Sequence, residues 1–359
     1  MLQFVGRRIL LAVPVLIGIL IATFLLARMI PGDPCRSALG ERATAEACER
    51  FARNKGLDQP IPVQLGIYIG DVAQGDFGDS IRFSRPVSQI LIERLPMTIE
   101  LSMAALVLAL IIGIPLGIIS AMKHNTAVDV GTMMFANVGV SMPVFWLGLL
   151  LAYLFALVLG DTPLALPPSG RLSAGLISEP FFEVWGWGLR DGSFPHTVME
   201  FISNHYIFNA LITGDFKLFF DAIKHLILPA AALSTIPMAI IARMTRSSLL
   251  DVLGRDYVRT ARAKGAPERR VVVRHALRNA MLPVVTIIGL QLGALLSGAV
   301  LTETVFGLAG AGTMLFEAIT ARDYPIIQGF TVVIAAGYVV INLIVDVSYA
   351  YFDPRVRLE

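Results

Sequence analysis

Long charge-free runs of apolar residues constrain this chain more than any other feature. The runs are Ile9–Ala27, Leu101–Met122, Val130–Gly160, Leu226–Ala242, Asn279–Thr302 and Tyr324–Val345. A bilayer core is about 30 Å thick, so a helix needs about 20 apolar residues to cross it. Inside lipid the backbone must satisfy its own hydrogen bonds, so such runs are helical. They predict an all-α membrane protein with six transmembrane helices, of which the fourth is the shortest.

The first run has two interpretations. Arg7 and Arg8 followed by an apolar stretch are compatible with a secretory signal peptide. However, the run is long and leads into ARMIPGDP rather than into a cleavage site of small residues. We therefore expect a retained first span.

The distribution of basic residues predicts the orientation. Between Arg243 and Asn279 there are ten basic and three acidic residues, whereas Pro31–Pro96 has eight and nine, and Asp161–His225 has four and seven. Loops rich in Lys and Arg stay in the cytoplasm. Both termini and the basic loop are therefore predicted to be cytoplasmic, and the two long loops external. The net charge is only +2, so the whole chain is not a ligand for polyanions.

The two cysteines, Cys35 and Cys48, both fall in the first predicted external loop. An oxidising compartment favours a disulfide between them, which would contribute about 3 kcal/mol in the chain-entropy description. The alternative is two unlinked thiols, because the sequence does not give the Cα separation that a disulfide requires.

The basic loop is predicted to form two helices around a turn. Asp256 is a candidate helix cap, Gly265 occupies the position of a left-handed residue after a helix, and Pro267 blocks continuation. Glu268 is suited to the amino-terminal end of a second helix, where the helix dipole favours negative charge.

Two surfaces of this loop are candidates for contacts. Ala261 and Gly265 are small and four residues apart, which would leave a shallow spot for a knob from a partner. The second helix carries a basic stripe at i, i+4 spacing, Arg270, Arg274 and Arg278. The alternative for these charges is contact with anionic headgroups, worth about 1 kcal/mol per residue. A DNA-binding helix-turn-helix is disfavoured because the loop is tethered between two spans, so we expect no nucleic-acid partner.

At this point the sequence resembles a known family. RTARAKG (259–265) resembles the EAA signature of bacterial ABC importer permeases, with Arg259 at the Glu position, Thr260 and Ala261 at the two Ala positions, and Gly265 at the glycine. Leu282-Pro283 comes later than in sugar permeases, as in the dipeptide, oligopeptide and nickel branch. Further matching motifs are MIPGDP (29–34), GLDQP (56–60), GDFGDS (75–80), SMPVFW (141–146), RHALRNAMLPVVT (274–286), LTETVF (301–306), RDYPIIQG (322–329) and DPRVR (353–357).

The resemblance is strongest to the B-type permeases of dipeptide importers. It implies the type I ABC importer permease fold, and import of dipeptides or short peptides. It implies as partners a second related permease, two cytoplasmic ATPase subunits and an external binding protein, besides the lipid bilayer. It implies that the ATPases, not this chain, bind ATP and Mg, so this chain has no cofactor. The residues implied to couple to the ATPases are Arg259, Thr260, Ala261, Gly265, Ala266 and Pro267.

The predicted segments follow from the runs, the charges and the resemblance. They are the amino-terminal end with span one (1–30), an external region (31–96), spans two and three (97–160), an external loop (161–225), span four (226–247), the coupling loop (248–280), span five (281–304), an external segment (305–325), span six (326–350) and a cytoplasmic tail (351–359).

Two other classes of function are less well supported. A membrane enzyme would need catalytic groups, but the chain has no GxxxxGK[ST], HExxH or GxSxG motif, and His196, His205 and His225 lack metal-ligand spacing. A secondary transporter working alone would carry ionisable residues inside its spans. Here the acidic residues Glu100, Glu303 and Asp346 are predicted to lie near span ends, where capping or snorkelling explains them.

Two further sets of residues are candidates for contacts during transport. Ser141, Met142, Gln291 and Ser297 are polar or adaptable residues that could line a path, with ordinary helix packing as the alternative. In the loop 161–225, Trp185 and Trp187 are candidates for contact with the binding protein. The alternative is a lid that packs on this chain.

Overall fold

The computed structural model describes residues 2–29, 34–40, 42–54 and 56–352. These residues form helices, and they contain no strand beyond a single bridge between Asp79 and Pro86. The predicted all-α fold is therefore confirmed for the described part of the chain.

The helices follow one another with short connections, apart from the loop 161–225. They are α1 (Leu2–Met29), α2 (Pro34–Leu39), α3 (Ala45–Asn54), α4 (Ile61–Ala73), α5 (Val87–Met122), α6 (Ala127–Ser141), α7 (Val144–Tyr153), α8 (Phe181–Val184), α9 (Phe194–Ser203), α10 (Tyr206–Thr213), α11 (Phe216–Leu253), α12 (Asp256–Ala263), α13 (Glu268–Arg270), α14 (Leu277–Gly298), α15 (Val300–Val305), α16 (Ala311–Ala321) and α17 (Tyr324–Phe352). Two π-helical stretches, Leu154–Val158 and Val271–Ala276, extend α7 and join α13 to α14.

Five of these helical segments are long and apolar enough to cross a membrane. They are Gly6–Leu26, Val87–Met122, Phe216–Leu253, Glu268–Leu296 and Tyr324–Val347. A sixth span results if Ala127–Ser141 and Val144–Val158, which meet at an angle of 99°, are counted together. The chain is thus a multi-pass membrane protein, and its third span is broken rather than continuous.

The fourth span differs most from its prediction. The apolar run of 17 residues lies inside α11, which has 38 residues and is the longest helix described. Its start is fixed by Asp215, whose side chain accepts a hydrogen bond from Leu218 N at 2.9 Å. The shortest apolar run is thus the middle part of a longer helix, because a helix continues through polar residues as long as its own backbone hydrogen bonds continue.

The core forms where α11 packs along α5. Gly113 and Gly117 face the α11 backbone so closely that a Cβ on them would lie 2.8 Å from Met238 O and 2.6 Å from Ala242 O. Leu101 and Ile241 are fully buried in the same contact. Because Gly113 and Gly117 have no side chains, α5 and α11 approach each other closely.

A buried carboxylate joins α5 to the connection after span five. Glu303 is fully buried and accepts hydrogen bonds from Thr98 Oγ1 at 2.6 Å and from Thr313 N at 2.9 Å. A Cβ on Gly310 would lie 2.5 Å from its carboxylate. Snorkelling does not explain this fully buried residue, but capping does in part, because Glu303 accepts a hydrogen bond from Thr313 N in the first turn of α16.

The amino-terminal region packs beside α1 and α17. A disulfide joins Cys35 on α2 to Cys48 on α3, with Cα atoms 5.4 Å apart, which agrees with the predicted pairing. The GDFGDS loop (75–80) is held at the start of α17, where Ser80 Oγ donates to Asp323 Oδ2 at 2.5 Å. This arrangement brings α4 and the loop to one end of the first and last spans.

Candidate functional site

The predicted helix–turn–helix between α11 and α14 is present. We call residues 256–279 the coupling segment. Its first helix is α12, its turn is centred on Gly265 with φ +78°, and its second helix begins at Glu268 after Pro267. One detail differs from the prediction. Arg255 rather than Asp256 occupies the cap position, and no side chain caps the helix.

An apolar cluster anchors the coupling segment to the spans. Val258 is fully buried and packs with Leu249 of α11 and with Val271 and Val272 of the π-helical stretch. Ala261 and Ala266 are partly buried against the same cluster. Ala261 is therefore partly covered by the core of its own chain, whereas Gly265 is exposed, and the shallow spot formed jointly by the two residues stays a prediction.

The outward surface of the segment consists of other residues. Arg259, Thr260, Lys264, Gly265 and Pro267 are exposed. A Cβ added to Gly265 would meet no heavy atom within 4 Å. The space beside Gly265 is therefore open to a partner, while its positive φ restricts it to glycine.

An ion pair closes the turn. Arg262 Nε and Nη2 donate to the two carboxylate oxygens of Glu268 at 3.1 and 2.7 Å, and this pairing raises the pKa of Arg262. A second tie joins Asn279 Nδ2 to the Tyr257 hydroxyl at 2.8 Å. Neither of these two contacts was predicted. For the pair of Arg262 and Glu268, the opposite charges on the two sides of the Gly265-Ala266-Pro267 turn were a signal in the sequence.

The predicted basic stripe is exposed but is not spaced as on an α-helix. Arg270, Arg274 and Arg278 all face solvent or lipid. Because Val271–Ala276 is π-helical, each turn there holds more residues than an α-helical turn. Val271, Val272 and Ala276 occupy the buried side of this stretch.

Two of the four candidate path residues lie at the break in the third span. Ser141 ends α6, and Met142 is extended with φ −100° and ψ +134°. Pro143 lacks an N–H donor and disfavours helical conformation at the residue before it. Gln291 lies half-buried on α14, and the side chain of Ser297 lies outside the described residues.

The loop 161–225 is fixed to the span α5 by a partly buried polar contact. Arg171 Nη2 donates to Glu100 Oε2 at 2.6 Å, and the Arg171 guanidinium lies 3.5 Å from the centre of the Tyr206 ring. Ile207 N donates to the other oxygen of Glu100 at 2.8 Å. The loop therefore packs on this chain, as the alternative of a lid predicted.

The same loop presents the two tryptophans on an aromatic cluster. Trp185 and Trp187 lie with ring centres 5.4 and 5.7 Å from that of Phe181, which is buried. Both tryptophans remain about half exposed, at 49% and 50%. Contact with Phe181 thus holds one side of each tryptophan ring, while the other side stays accessible.

Two histidines of this loop lie beside the backbone carbonyl oxygen four residues earlier. His205 Nδ1 lies 3.0 Å from Phe201 O, and His225 Nδ1 lies 2.9 Å from Asp221 O. Across the ranges that the structure describes, no group of three or more His, Cys, Asp or Glu residues is placed to hold a metal ion.

Comparison with known proteins identifies the family. Residues 113–358 match the family described as "Binding-protein-dependent transport system inner membrane component". Residues 1–102 match the family described as "Binding-prot-dependent transport system membrane comp, N-term".

Curated relatives match over their whole length. The dipeptide transport system permease protein DppB of Alkalihalophilus pseudofirmus is 45% identical over 99% of this chain and 100% of its own length. The Escherichia coli DppB is 42% identical over 99% of both chains. The oligopeptide transport system permease protein AppB of Bacillus subtilis is 38% identical over 99% of this chain and 100% of its own length.

These relatives are named as permeases and not as enzymes, and the family consists of membrane subunits of transporters that contain further subunits. The similarity runs through every span and through the coupling segment. The chain is therefore a multi-pass permease subunit that belongs to the family of inner membrane components of binding-protein-dependent transport systems.

Proposed function

We propose that this chain is the B-type permease of an ABC importer that moves dipeptides or short peptides into the cytoplasm. The substrate class is supported by similarity along the whole chain to relatives named for dipeptide and oligopeptide transport. The coupling to ATP is supported by one observation above all. An exposed, glycine-centred turn is fixed by a buried apolar cluster between the two long helices α11 and α14.

In this proposal the coupling segment transmits motion as one body with α11. Val258 packs on Leu249, which lies in the last turns of α11. A displacement of α12 by an ATPase subunit would therefore move α11. Since α11 packs tightly along α5, the motion would pass through the membrane rather than be absorbed in a flexible loop.

The same helix also touches the broken third span. A Cβ on Gly139 of α6 would lie 2.7 Å from Thr235 Cβ of α11. Motion of α11 would thus reach the break at Ser141 and Met142, whose freed backbone groups suit a path for a polar substrate better than an unbroken helix does. We propose Ser141, Met142, Gln291 and Ser297 as path residues.

The proposed complex contains a second related permease, two ATPase subunits that bind ATP and Mg, and an external binding protein. Both termini and the coupling segment lie in the cytoplasm in this arrangement, as the basic residues indicate. Arg259, Thr260, Gly265 and Pro267 form the contact with an ATPase subunit, and Ala261 and Ala266 support it from the buried side. Trp185 and Trp187 contact the binding protein.

The test is uptake by a reconstituted complex. This chain is assembled in vesicles with the second permease and the ATPase subunits, and labelled dipeptide is supplied with the binding protein. We expect uptake only when ATP, the ATPase subunits and the binding protein are all present. Uptake driven by an ion gradient without ATPase subunits would contradict the proposal and favour a secondary transporter.

A further inference from the structure

A cavity with a largely apolar wall and a few polar groups lies away from the proposed path, between α1, α4, the GDFGDS loop and the start of α17. Its volume is about 410 Å³, within the range of about 300–1,000 Å³ that is usual for small-molecule sites. None of the proposed path residues lines it. The cavity is therefore separate from the site described above.

Two buried polar atoms in this cavity have no partner. They are the hydroxyl of Tyr68 and Nε2 of Gln328. Gln328 is only 4% exposed. Buried donors nearly always have a hydrogen-bond partner, because an unpaired one costs free energy. Nε2 of Gln328 can only donate, and the Tyr68 hydroxyl can donate as well as accept, so one acceptor placed between them would satisfy both groups.

A cation lies beside these donors. Arg28 donates through Nε and Nη2 to Gln64 Oε1 at 3.1 and 2.7 Å, and its guanidinium lies 4.4 Å from the centre of the Phe24 ring. Within the described ranges no carboxylate forms an ion pair with Arg28. The inner part of the cavity is thus suited to an anionic acceptor such as a phosphate.

The mouth of the cavity has the opposite charge. Asp71 and Asp76 line it and are exposed, and Asp76 also accepts a hydrogen bond from Gly78 N at 2.8 Å. A ligand that fits both parts carries an anionic group and an ammonium group that donates hydrogen bonds.

The position of the cavity relative to the membrane indicates where such a ligand comes from. The apolar span of α1 ends at Leu26, two residues before Arg28. Leu26 is 62% exposed, and Ile67 on the wall of the cavity is 54% exposed. The cavity therefore lies where hydrocarbon gives way to headgroups, with apolar surface beside it for acyl chains.

We propose that this cavity binds the headgroup of a phospholipid with a primary ammonium, of the phosphatidylethanolamine class. Arg28, Tyr68 and Gln328 hold the phosphodiester, and Asp71 and Asp76 hold the ammonium. The bound lipid fixes the amino-terminal region against the first and last spans. This site does not depend on which solute is transported.

The experiment is a lipid titration of the full chain, purified in mild detergent with its accompanying subunits and stripped of lipid. Native mass spectrometry gives apparent Kd values for phosphatidylethanolamine, phosphatidylcholine and phosphatidylglycerol. We expect Kd for phosphatidylethanolamine to be lower than for the other two by about tenfold, the effect of one charge-assisted hydrogen bond.

Variants separate the two halves of the site. Tyr68→Phe with Gln328→Met should raise Kd for all three lipids by about tenfold. Asp71→Asn with Asp76→Asn changes only exposed side chains, and it should remove the preference for phosphatidylethanolamine over phosphatidylcholine. The matched control is Thr245→Val, which removes another buried hydroxyl without a partner, outside the cavity. It should leave all three Kd values unchanged.

Three results would overturn the proposal. The first is equal binding of all three lipids by the wild-type chain. The second is an unchanged preference in the Asp71→Asn, Asp76→Asn variant. The third is saturable binding of soluble dialanine that displaces the lipid and is lost in the Tyr68→Phe, Gln328→Met variant, because the ligand would then be a peptide.

Discussion

The coupling segment and the loop 161–225 both leave the spans and both expose residues for contacts, but they are anchored differently. The coupling segment rests on an apolar cluster around Val258. The loop 161–225 rests on polar contacts such as the partly buried pair of Arg171 and Glu100, and its aromatic contacts lie within the loop itself. Apolar packing tolerates loss of single atoms gradually, whereas a buried ion pair fails when either partner is removed.

The comparison suggests different mechanical roles. A segment packed through close apolar contacts moves as one body with the helices below it. The loop 161–225 is fixed by polar contacts at several points, such as those of Gly170 N with Phe306 O and of Asn204 Nδ2 with Ile92 O. We therefore expect force transmission at the coupling segment, which connects α11 to α14, and recognition at the loop, where Trp185 and Trp187 are exposed.

The largest effect is expected for Gly265→Leu. Its φ of +78° makes a side chain cost about 1 kcal/mol or more, and the leucine would enter the open space where we propose that an ATPase subunit binds. Peptide uptake by the reconstituted complex should fall sharply while the spans still assemble. The matched control is Gly254→Leu at the end of α11, where φ is −79°. Wild-type uptake by Gly265→Leu would contradict the role of the coupling segment.

The next effect is expected for Arg171→Met. It leaves the Glu100 carboxylate without its cation, and loss of such a partly buried pair costs about 2 kcal/mol, between the values for exposed and fully buried pairs. Limited proteolysis should cut the loop 161–225 faster, while the coupling segment stays protected. For comparison, Arg82→Met removes a half-exposed ion-pair partner that lies 4.0 Å from Glu317. It should change neither the cleavage of the loop 161–225 nor the protection of the coupling segment. Unchanged proteolysis in Arg171→Met would show that another contact anchors the loop.

A smaller effect is expected for Trp185→Ala combined with Trp187→Ala. Both rings are half exposed, and truncating a tryptophan at an interface commonly costs about 2 kcal/mol. Stimulation of ATP hydrolysis by the loaded binding protein should weaken, with basal hydrolysis unchanged. Phe194→Ala is the control, since Phe194 is 81% exposed in the same loop but lies outside the aromatic cluster. Normal stimulation in the double variant would exclude these rings from docking.

The smallest effect is expected for Arg262→Gln. The pair with Glu268 has good geometry but is exposed, and such pairs contribute about 1 kcal/mol or less. Coupling, measured as peptide imported per ATP hydrolysed, should decline slightly, and the difference from wild type should shrink at high salt. Arg270→Ala, which removes an exposed charge with no part in the turn, should lower this ratio less. A loss as large as that of Gly265→Leu would mean that the ion pair, not the glycine, defines the turn.

Two prolines show the limit of what the sequence predicts about the continuity of the spans. Pro115 and Pro143 both lie in apolar runs and both are exposed. Pro115 stays inside the unbroken α5, where Gly113 and Gly117 hold the helix against α11. At Pro143 the helix turns by 99°. The same residue type therefore keeps or breaks a span according to the packing around it.

The sequence by itself determined the features that depend on neighbouring residues. The spans follow from runs of apolar side chains, and the turn of the coupling segment follows from Gly265 and Pro267, because hydropathy and backbone preference act over a few residues. The tertiary structure alone decided which faces are covered. Ala261 is partly covered because Val258 packs on Leu249, Glu303 is buried because Thr98 lies opposite it, and the cavity beside Arg28 exists because α1, α4 and α17 meet. Burial of this kind arises from contacts between residues distant in sequence, which local patterns do not record.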